Sequence, residues 1–225
     1  MSGGLYTQLL DLACGAFLLA AVIVLWRREL AAIVRVFALQ GVALAAIAML
    51  LGLHEERWDL IAVGLGVGVL RAGVLPYLMR RALAALAADR GSEEVRETQP
   101  LVNVAASLLT AALLTLLAYA VAQPLTALDP TPATRALPVG LAVVLIGFFV
   151  LVTRRRALAQ VVGFLLLDNG ITATAFLATS GVPLIVELGV SFDVLLAVLV
   201  LQILTTRMRE AFGTTDIDDL RELHD

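Results

Sequence analysis

The chain has few of the charged residues that cover a soluble protein. Only 16% of its 225 residues are charged, 60% are hydrophobic, and the mean hydropathy is +0.95. Values this apolar exclude an ordinary soluble globular domain. The sequence therefore predicts an integral membrane protein whose surroundings are the lipid bilayer and other membrane proteins, with no nucleic acid among its partners.

Cysteine and histidine are also scarce, and their positions exclude the common metal centres. The single cysteine, Cys14, lies inside the first apolar run, and the two histidines, His54 and His224, are far apart. This set cannot ligate an iron–sulfur cluster and has no spacing suited to haem or zinc. We predict no cofactor, no metal and no catalytic residue in this chain, so any redox chemistry would belong to another subunit.

Long apolar runs are abundant. A transmembrane helix needs about 20 mostly apolar residues, and the chain has seven runs of about that length. They cover residues 5–26, 31–53, 59–80, 101–122, 137–153, 159–179 and 184–206. The predicted fold class is all-α, an integral membrane bundle of seven transmembrane helices. Pro138, at the start of the fifth run, fits a first helical turn, where its missing N–H costs nothing.

The chain has no lysine, so its 16 arginines alone predict the orientation. Clusters after the first, third, fifth and seventh runs place twelve arginines on one side, whereas only Arg57 and Arg135 lie on the other. Arg71 and Arg35 fall within runs, and Arg35 is close enough to an end for its side chain to reach the membrane surface. The positive-inside rule then puts the N-terminus outside and the C-terminus in the cytoplasm, across the cell inner membrane.

Two parts of the chain resemble each other at an offset of 128 residues, which aligns Arg27 with Arg155. Gln40 then matches Asp168, and each is followed by a short turn and a helix with a central ionisable residue. We predict two parallel three-helix units, 1–80 and 137–207. Residues 81–136 would join them through a cytoplasmic loop, the fourth helix and an outer loop, and residues 208–225 would form a cytoplasmic tail helix.

Polar side chains from four helices fall in one layer near the bilayer centre, when depth is counted at about 1.5 Å per residue. A charge at this depth costs roughly 2.5–3.5 kcal/mol on insertion scales, so it normally faces a bundle interior or a water-filled path. Two interpretations stay open. The layer holds the bundle together through hydrogen bonds and ion pairs, or its carboxylates relay protons or cations. The residues of the layer are Gln40, Arg71, Asp168, Asn169 and Asp193.

Neighbouring residues add detail to this layer. Pro76 predicts a kink beside Arg71, and Thr172 and Thr179 extend a polar stripe from Asp168 along the sixth helix. Glu187, near the outer end of the last helix, is a candidate for the mouth of an ion path. Gly64 and Gly68 are four residues apart and predict a close packing face on the third helix.

The last third of the chain carries a recognisable pattern. Arginines open a helix, "VVG" follows, and Asn169 comes six residues after that glycine. The last helix has a central carboxylate, Asp193, and a glutamine near its end, Gln202, before the tail "TDIDDLRELHD". Residues 154–224 resemble the K subunit, also called 4L, of respiratory complex I. A seven-span protein that ends in such a unit resembles the hydrogenase-4 component E family, membrane subunits of nickel–iron hydrogenases and formate hydrogenlyase-type complexes.

The resemblance implies a non-catalytic membrane subunit of a hydrogenase-4-like or complex I-like oxidoreductase complex. It would work beside antiporter-like subunits and contribute to proton or sodium translocation. In the complex I subunit two membrane glutamates contribute to the path: one corresponds to Asp193, and the other falls at Leu165, where this chain has no carboxylate. Asp168 is the candidate substitute, and Arg71 is the charge that biases the protonation of both aspartates. Two other classes stay open, a stand-alone secondary transporter with a midplane site and a structural membrane adaptor without an ion path.

Overall fold

The computed structural model describes residues 3–27, 29–90, 103–154 and 157–179, and every extended regular element among them is helical. The elements are α1 (Gly3–Trp26), α2 (Leu30–His54), α3 (Trp58–Val67), a π-helical segment (Gly68–Val74), α4 (Leu75–Arg90), α5 (Val104–Leu128), α6 (Pro132–Thr153) and α7 (Ala157–Thr179). Because α3, the π-helical segment and α4 follow one another without a break, they form one continuous span.

Six helical stretches of the described residues are long and apolar enough to cross a membrane. They correspond to the first six predicted runs, so the all-helical fold class and the membrane character are confirmed. The seventh predicted run, 184–206, and the tail helix over 208–225 lie outside the described residues. A total of seven spans, their orientation and the domain organisation stay predictions.

The start of α6 differs from the predicted one. This helix begins at Pro132, and the hydroxyl oxygen of Thr131 accepts a hydrogen bond from the Thr134 N–H at 3.1 Å. Pro132 therefore occupies the first turn, where a missing N–H costs nothing. Placing Pro138 in the first turn was wrong, because this residue lies inside the helix. For the same reason, the domain boundary drawn between 136 and 137 falls within α6.

Glycine brings the helix pairs into close contact. A Cβ added at Gly163 or Gly170 would lie 2.7 Å or 2.5 Å from a backbone nitrogen of α6. On α3, a Cβ at Gly64 would lie 2.8 Å from the Met49 side chain of α2. A Cβ at Gly68, the first residue of the π-helical segment, would lie 3.2 Å from the Cβ of Ala45. The predicted packing face on this helix is thus confirmed. Close backbone approach matters in lipid because helix association there depends on van der Waals packing.

A Gly147→Ala substitution should lower the free energy of unfolding by about 1–3 kcal/mol, because the new methyl group would overlap the Leu167 backbone of α7. Gly15→Ala is the matched control, since nothing lies within 4 Å of a Cβ added there. That control should be neutral or stabilising by up to about 1 kcal/mol, the preference of a helix for alanine over glycine. Equilibrium unfolding in mixed detergent micelles measures both changes. Equal effects of the two substitutions would contradict a glycine-dependent α6–α7 contact.

Arg154, directly after α6, links this helix to α1. Its side chain is buried, and Nη2 donates hydrogen bonds of 3.4 Å to the backbone carbonyls of Val24 and Leu25. Carbonyls in the last turn of a helix have no partner within that helix, so the guanidinium supplies the missing donors. Since the ends of α1 and α6 meet, the two helices run parallel. A parallel repeat requires this direction, and the repeat itself stays a prediction.

Candidate functional site

Five polar side chains lie buried together where α2, the π-helical segment and α7 meet. Arg71 is only 1% exposed, Gln40 0% and Asp168 7%, although their surroundings are otherwise apolar. Groups this polar are buried in a membrane helix bundle only when other polar groups satisfy them. We call the five the buried polar cluster: Gln40, Arg71, Asp168, Asn169 and Thr172.

Arg71 lies at the centre of this cluster. Its Nη1 is 2.7 Å from Asp168 Oδ2 and also donates a hydrogen bond to Asn169 Oδ1. Its Nη2 donates to the hydroxyl oxygen of Thr172 at 2.9 Å. All three partners lie on α7, within about 1.1 turns of each other. The rigid fork of a guanidinium, with five N–H donors, suits several acceptors on one helix face.

The cluster extends from Arg71 to α1 through two amides. Asn169 Nδ2 donates to Gln40 Oε1 at 3.0 Å, and Gln40 Nε2 donates to the Phe17 carbonyl at 3.5 Å. These bonds connect α7, α2 and α1 at one depth. The orientation of the Asn169 side-chain amide is therefore defined by two neighbours, because its oxygen accepts a hydrogen bond from Arg71 and its nitrogen donates one to Gln40.

Asp168 is less completely satisfied than its neighbours. Within the described part of the chain, its buried Oδ2 makes no hydrogen bond of good geometry, so the contact with Arg71 is chiefly ionic. The other oxygens around Arg71, those of Asn169 and Thr172, accept hydrogen bonds from it. Proton uptake at Asp168 would remove its charge and leave the remaining bonds of Arg71 in place. The geometry thus suits a carboxyl group that changes its protonation state.

The helix around Arg71 departs from α-helical geometry. Residues from Gly68 to Val74 form π-helix, and the Leu75 N–H bonds to the Leu70 carbonyl five residues back. π-Helical turns are rare and occur frequently at functional sites. The kink predicted from Pro76 stays a prediction, and what the structure has just before this proline is the wider turn. Because a π turn holds extra backbone, the direction of Arg71 cannot be obtained by counting along an ideal helix.

Gly41 allows α2 to approach this turn. A Cβ added at Gly41 would lie 2.7 Å from the carbonyl carbon of Arg71 and 2.9 Å from the Ala72 nitrogen. No side chain fits between the two backbones, so the adjacent Gln40 reaches Asn169 directly. Sequence reasoning missed this role of Gly41. A polar residue followed by glycine, in the middle of an apolar helix, is the signal that could have found it.

The structure brings together four of the six predicted site residues: Gln40, Arg71, Asp168 and Asn169. The other two, Asp193 and Glu187, lie outside the described residues. Thr172 joins the cluster, as the polar stripe on the sixth predicted helix indicated. Thr179 does not, because it is exposed at the end of α7 and donates to its own helix at Ala175.

Comparison with known proteins gives one relative that matches from end to end. The uncharacterized protein Rv0085 of Mycobacterium tuberculosis is 54% identical over 225 residues, which is 100% of both chains. The chain belongs to the Rv0085 family. Hydrogenase-4 component E of Escherichia coli K12 and that of Shigella flexneri are each 34% identical over 115 residues. These matches cover 51% of the chain and 53% of the relatives, so the chain spans about half the length of component E.

No protein-family model matches the chain, and no solved structure does. Because Rv0085 is itself uncharacterized, membership of the Rv0085 family does not assign an activity to this chain. The resemblance to the complex I subunit therefore stays a prediction. The chemistry of this family has to be inferred from the buried polar cluster and from the partial match to component E.

Proposed function

We propose that the chain is a non-catalytic membrane subunit of a hydrogenase-type complex. The observation that carries this proposal is the 34% identity to hydrogenase-4 component E over 115 residues. The six apolar helices of membrane-spanning length among the described residues agree with a subunit embedded in the bilayer. Its partners would be antiporter-like and other membrane subunits of the same complex, in the inner membrane and with the C-terminus in the cytoplasm.

Within such a complex, we propose that the buried polar cluster forms part of a path for protons or sodium ions. The supporting geometry is the Arg71–Asp168 ion pair, 2.7 Å long and buried in an apolar bundle. Asp168 Oδ2, the oxygen of this ion pair, has no further hydrogen-bond partner among the described residues. When that carboxyl takes up a proton, Arg71 keeps the acceptors of Asn169 and Thr172. The pair can then separate and re-form without leaving the arginine unsatisfied.

Other residues of this path would come from outside the described part of the chain. The resemblance to the complex I subunit assigns a relay carboxylate to Asp193, and Glu187 would lie at the outer mouth. The side-chain amides of Gln40 and Asn169 would hold Arg71 in position and would carry no proton themselves. Asp168 would then stand in for the carboxylate that is missing at Leu165.

Recovery of the chain from its native membrane tests the subunit proposal. A chromosomally tagged chain, extracted with a mild detergent, should carry hydrogenase-type and antiporter-like subunits at fixed stoichiometry. The untagged strain is the control for adventitious proteins. A chain that emerges alone and transports a solute in proteoliposomes would contradict the proposal and favour a stand-alone transporter. Ion translocation by the intact complex, with Asp168 substituted, separates an ion path from a structural adaptor.

A further inference from the structure

An apolar groove runs along the outward side of α1 and α2, away from the buried polar cluster. It encloses about 670 Å³, within the range of roughly 300–1,000 Å³ found for ligand pockets. From Leu9 to Ile23 it extends about 21 Å along α1, which exceeds half of a hydrocarbon core about 30 Å thick. Small residues form much of its floor, and its walls include Leu9, Leu12, Ile23, Leu39, Val42 and Leu53.

Two arginines continue the helix stripes that line this groove. On α1, Arg27 lies one turn after Ile23, and its N–H still bonds to the Ile23 carbonyl at 3.0 Å. On α2, Arg35 lies one turn before Leu39, on the face that continues through Val42. Both arginines are exposed, and both lie at the end of the groove where α1 ends and α2 begins. The groove thus has an apolar body and two cations at one end.

The surroundings of Arg27 are typical of a membrane interface. Its guanidinium carbon lies 5.7 Å from the ring centroid of Trp26, and this tryptophan is 62% exposed. Tryptophan is enriched at the level of the lipid headgroups. The cationic end of the groove therefore lies at the depth of phosphate groups, while its body lies at the depth of acyl chains.

We propose that this groove is a binding site for one anionic phospholipid. An acyl chain would lie between α1 and α2, and the phosphate would contact Arg27 and Arg35. A neutral partner helix would fill the same apolar body but would have no use for two cations at its end. The proposal goes beyond the function proposed above and is independent of it, because the groove and the buried polar cluster lie on different sides of α2.

One nearby charge opposes the headgroup. Glu29 is exposed in the turn between the two arginines, directly before α2. Its carboxylate should repel a phosphate and weaken binding, so a Glu29→Gln variant should bind the lipid more tightly than the natural chain. Substitution of either arginine should therefore weaken binding of the anionic lipid, whereas substitution of Glu29 should strengthen it.

Native mass spectrometry of the full chain in detergent, with phosphatidylglycerol or phosphatidylcholine added, tests the site. Phosphatidylglycerol should bind more tightly than phosphatidylcholine. Each of Arg27→Gln and Arg35→Gln should weaken it about five-fold and the double variant about 25-fold, as expected for basic residues near anionic headgroups. Ala16→Phe with Ala46→Phe, which fills the groove, should weaken both lipids. Soluble glycerol phosphate should not compete, because it has no acyl chain.

Arg135→Gln is the matched control. Arg135 is exposed like Arg35, and the Nε of each donates a 3.4 Å hydrogen bond to the backbone carbonyl four residues earlier. It lies near the start of α6, at the opposite end of the bundle, so its removal should leave lipid binding unchanged. Equal binding of the two lipids, or an equal loss in Arg135→Gln, would overturn the proposal. So would a groove-filled chain that keeps phosphatidylglycerol but loses a protein partner, since a helix would then occupy the groove.

Discussion

An Arg71→Met variant should lose about 3–4 kcal/mol of folding free energy. The substitution leaves Asp168 buried with no cation beside it, and removing one partner of a buried ion pair typically costs about 3–5 kcal/mol. The carboxyl can escape its charge by taking up a proton, at a cost of about 4 kcal/mol at pH 7 for an ordinary aspartate. That cost limits the part of the loss that comes from the unpaired charge. Equilibrium unfolding in mixed detergent micelles provides the measurement.

The matching double variant, Arg71→Met with Asp168→Asn, should recover most of this stability, because no charge is left in the buried polar cluster. Asn169 and Thr172 still lose a donor, and hydrogen bonds between membrane helices average about 0.6 kcal/mol. The double variant should therefore be only about 1–2 kcal/mol less stable than the natural chain.

Arg57→Met is the matched control for Arg71→Met. Arg57 also pairs with an aspartate, Asp59 at 2.5 Å, but both side chains are substantially exposed. Water solvates the carboxylate when its partner is removed, so the stability should hardly change. If Arg57→Met and Arg71→Met destabilise the chain equally, or if the double variant is no better than Arg71→Met, the buried ion pair does not have the energetic role assigned to it.

The membership of the buried polar cluster could be predicted in large part from the sequence. Gln40, Arg71, Asp168 and Asn169 are polar residues in apolar runs, and each would be costly in lipid. Counting their distance from the helix ends placed all four at one depth. Because few partners exist at that depth, charge predicted that Arg71 pairs with an aspartate, but it left Asp168 and Asp193 both open. Hydropathy likewise located the first six spans, since about 20 apolar residues have few alternatives to crossing the membrane.

The contacts that position the cluster could not be predicted in the same way. The π-helical segment around Arg71 depends on backbone bonds that no residue pattern specifies uniquely. Gly41 looks like any small residue of a membrane helix until the backbone of Arg71 is placed against it. Arg154 was counted with the arginines outside the membrane, yet it is buried and bonds to the end of α1. Each of these depends on which helices become neighbours.

The start of α6 shows a different source of error. The prediction relied on hydropathy and began the helix near Pro138, because the preceding residues "TPATRA" are polar or small. The N-cap at Thr131 and the proline at 132 form a stronger start signal, a capping residue followed by a first-turn proline. Local capping chemistry therefore defined this boundary better than hydropathy, since a membrane helix can extend beyond the apolar core.

An Asp168→Asn variant of the intact complex should translocate at least about 100-fold fewer ions per electron, the usual contribution of a positioned proton-transferring group. Asparagine matches the size of aspartate and can still accept a hydrogen bond from Arg71, but it cannot take up and release a proton. Arg71 also keeps its bonds to Asn169 and Thr172. Ion uptake by vesicles that contain the complex, divided by its electron transfer rate, gives the ratio.

Three further variants make the result on Asp168 decisive. Asp168→Glu keeps a carboxyl group and should retain part of the translocation. Asp59→Asn removes an exposed carboxylate that also pairs with an arginine, and should leave the ratio unchanged. If Asp168→Asn reduces the yield of the complex, Arg71→Gln with Asp168→Asn offers a chain whose buried polar cluster has no charge and no carboxyl group. Full translocation by either chain that carries Asp168→Asn would show that Asp168 is not part of the ion path. The buried polar cluster would then serve only to hold α2, α7 and the π-helical segment together.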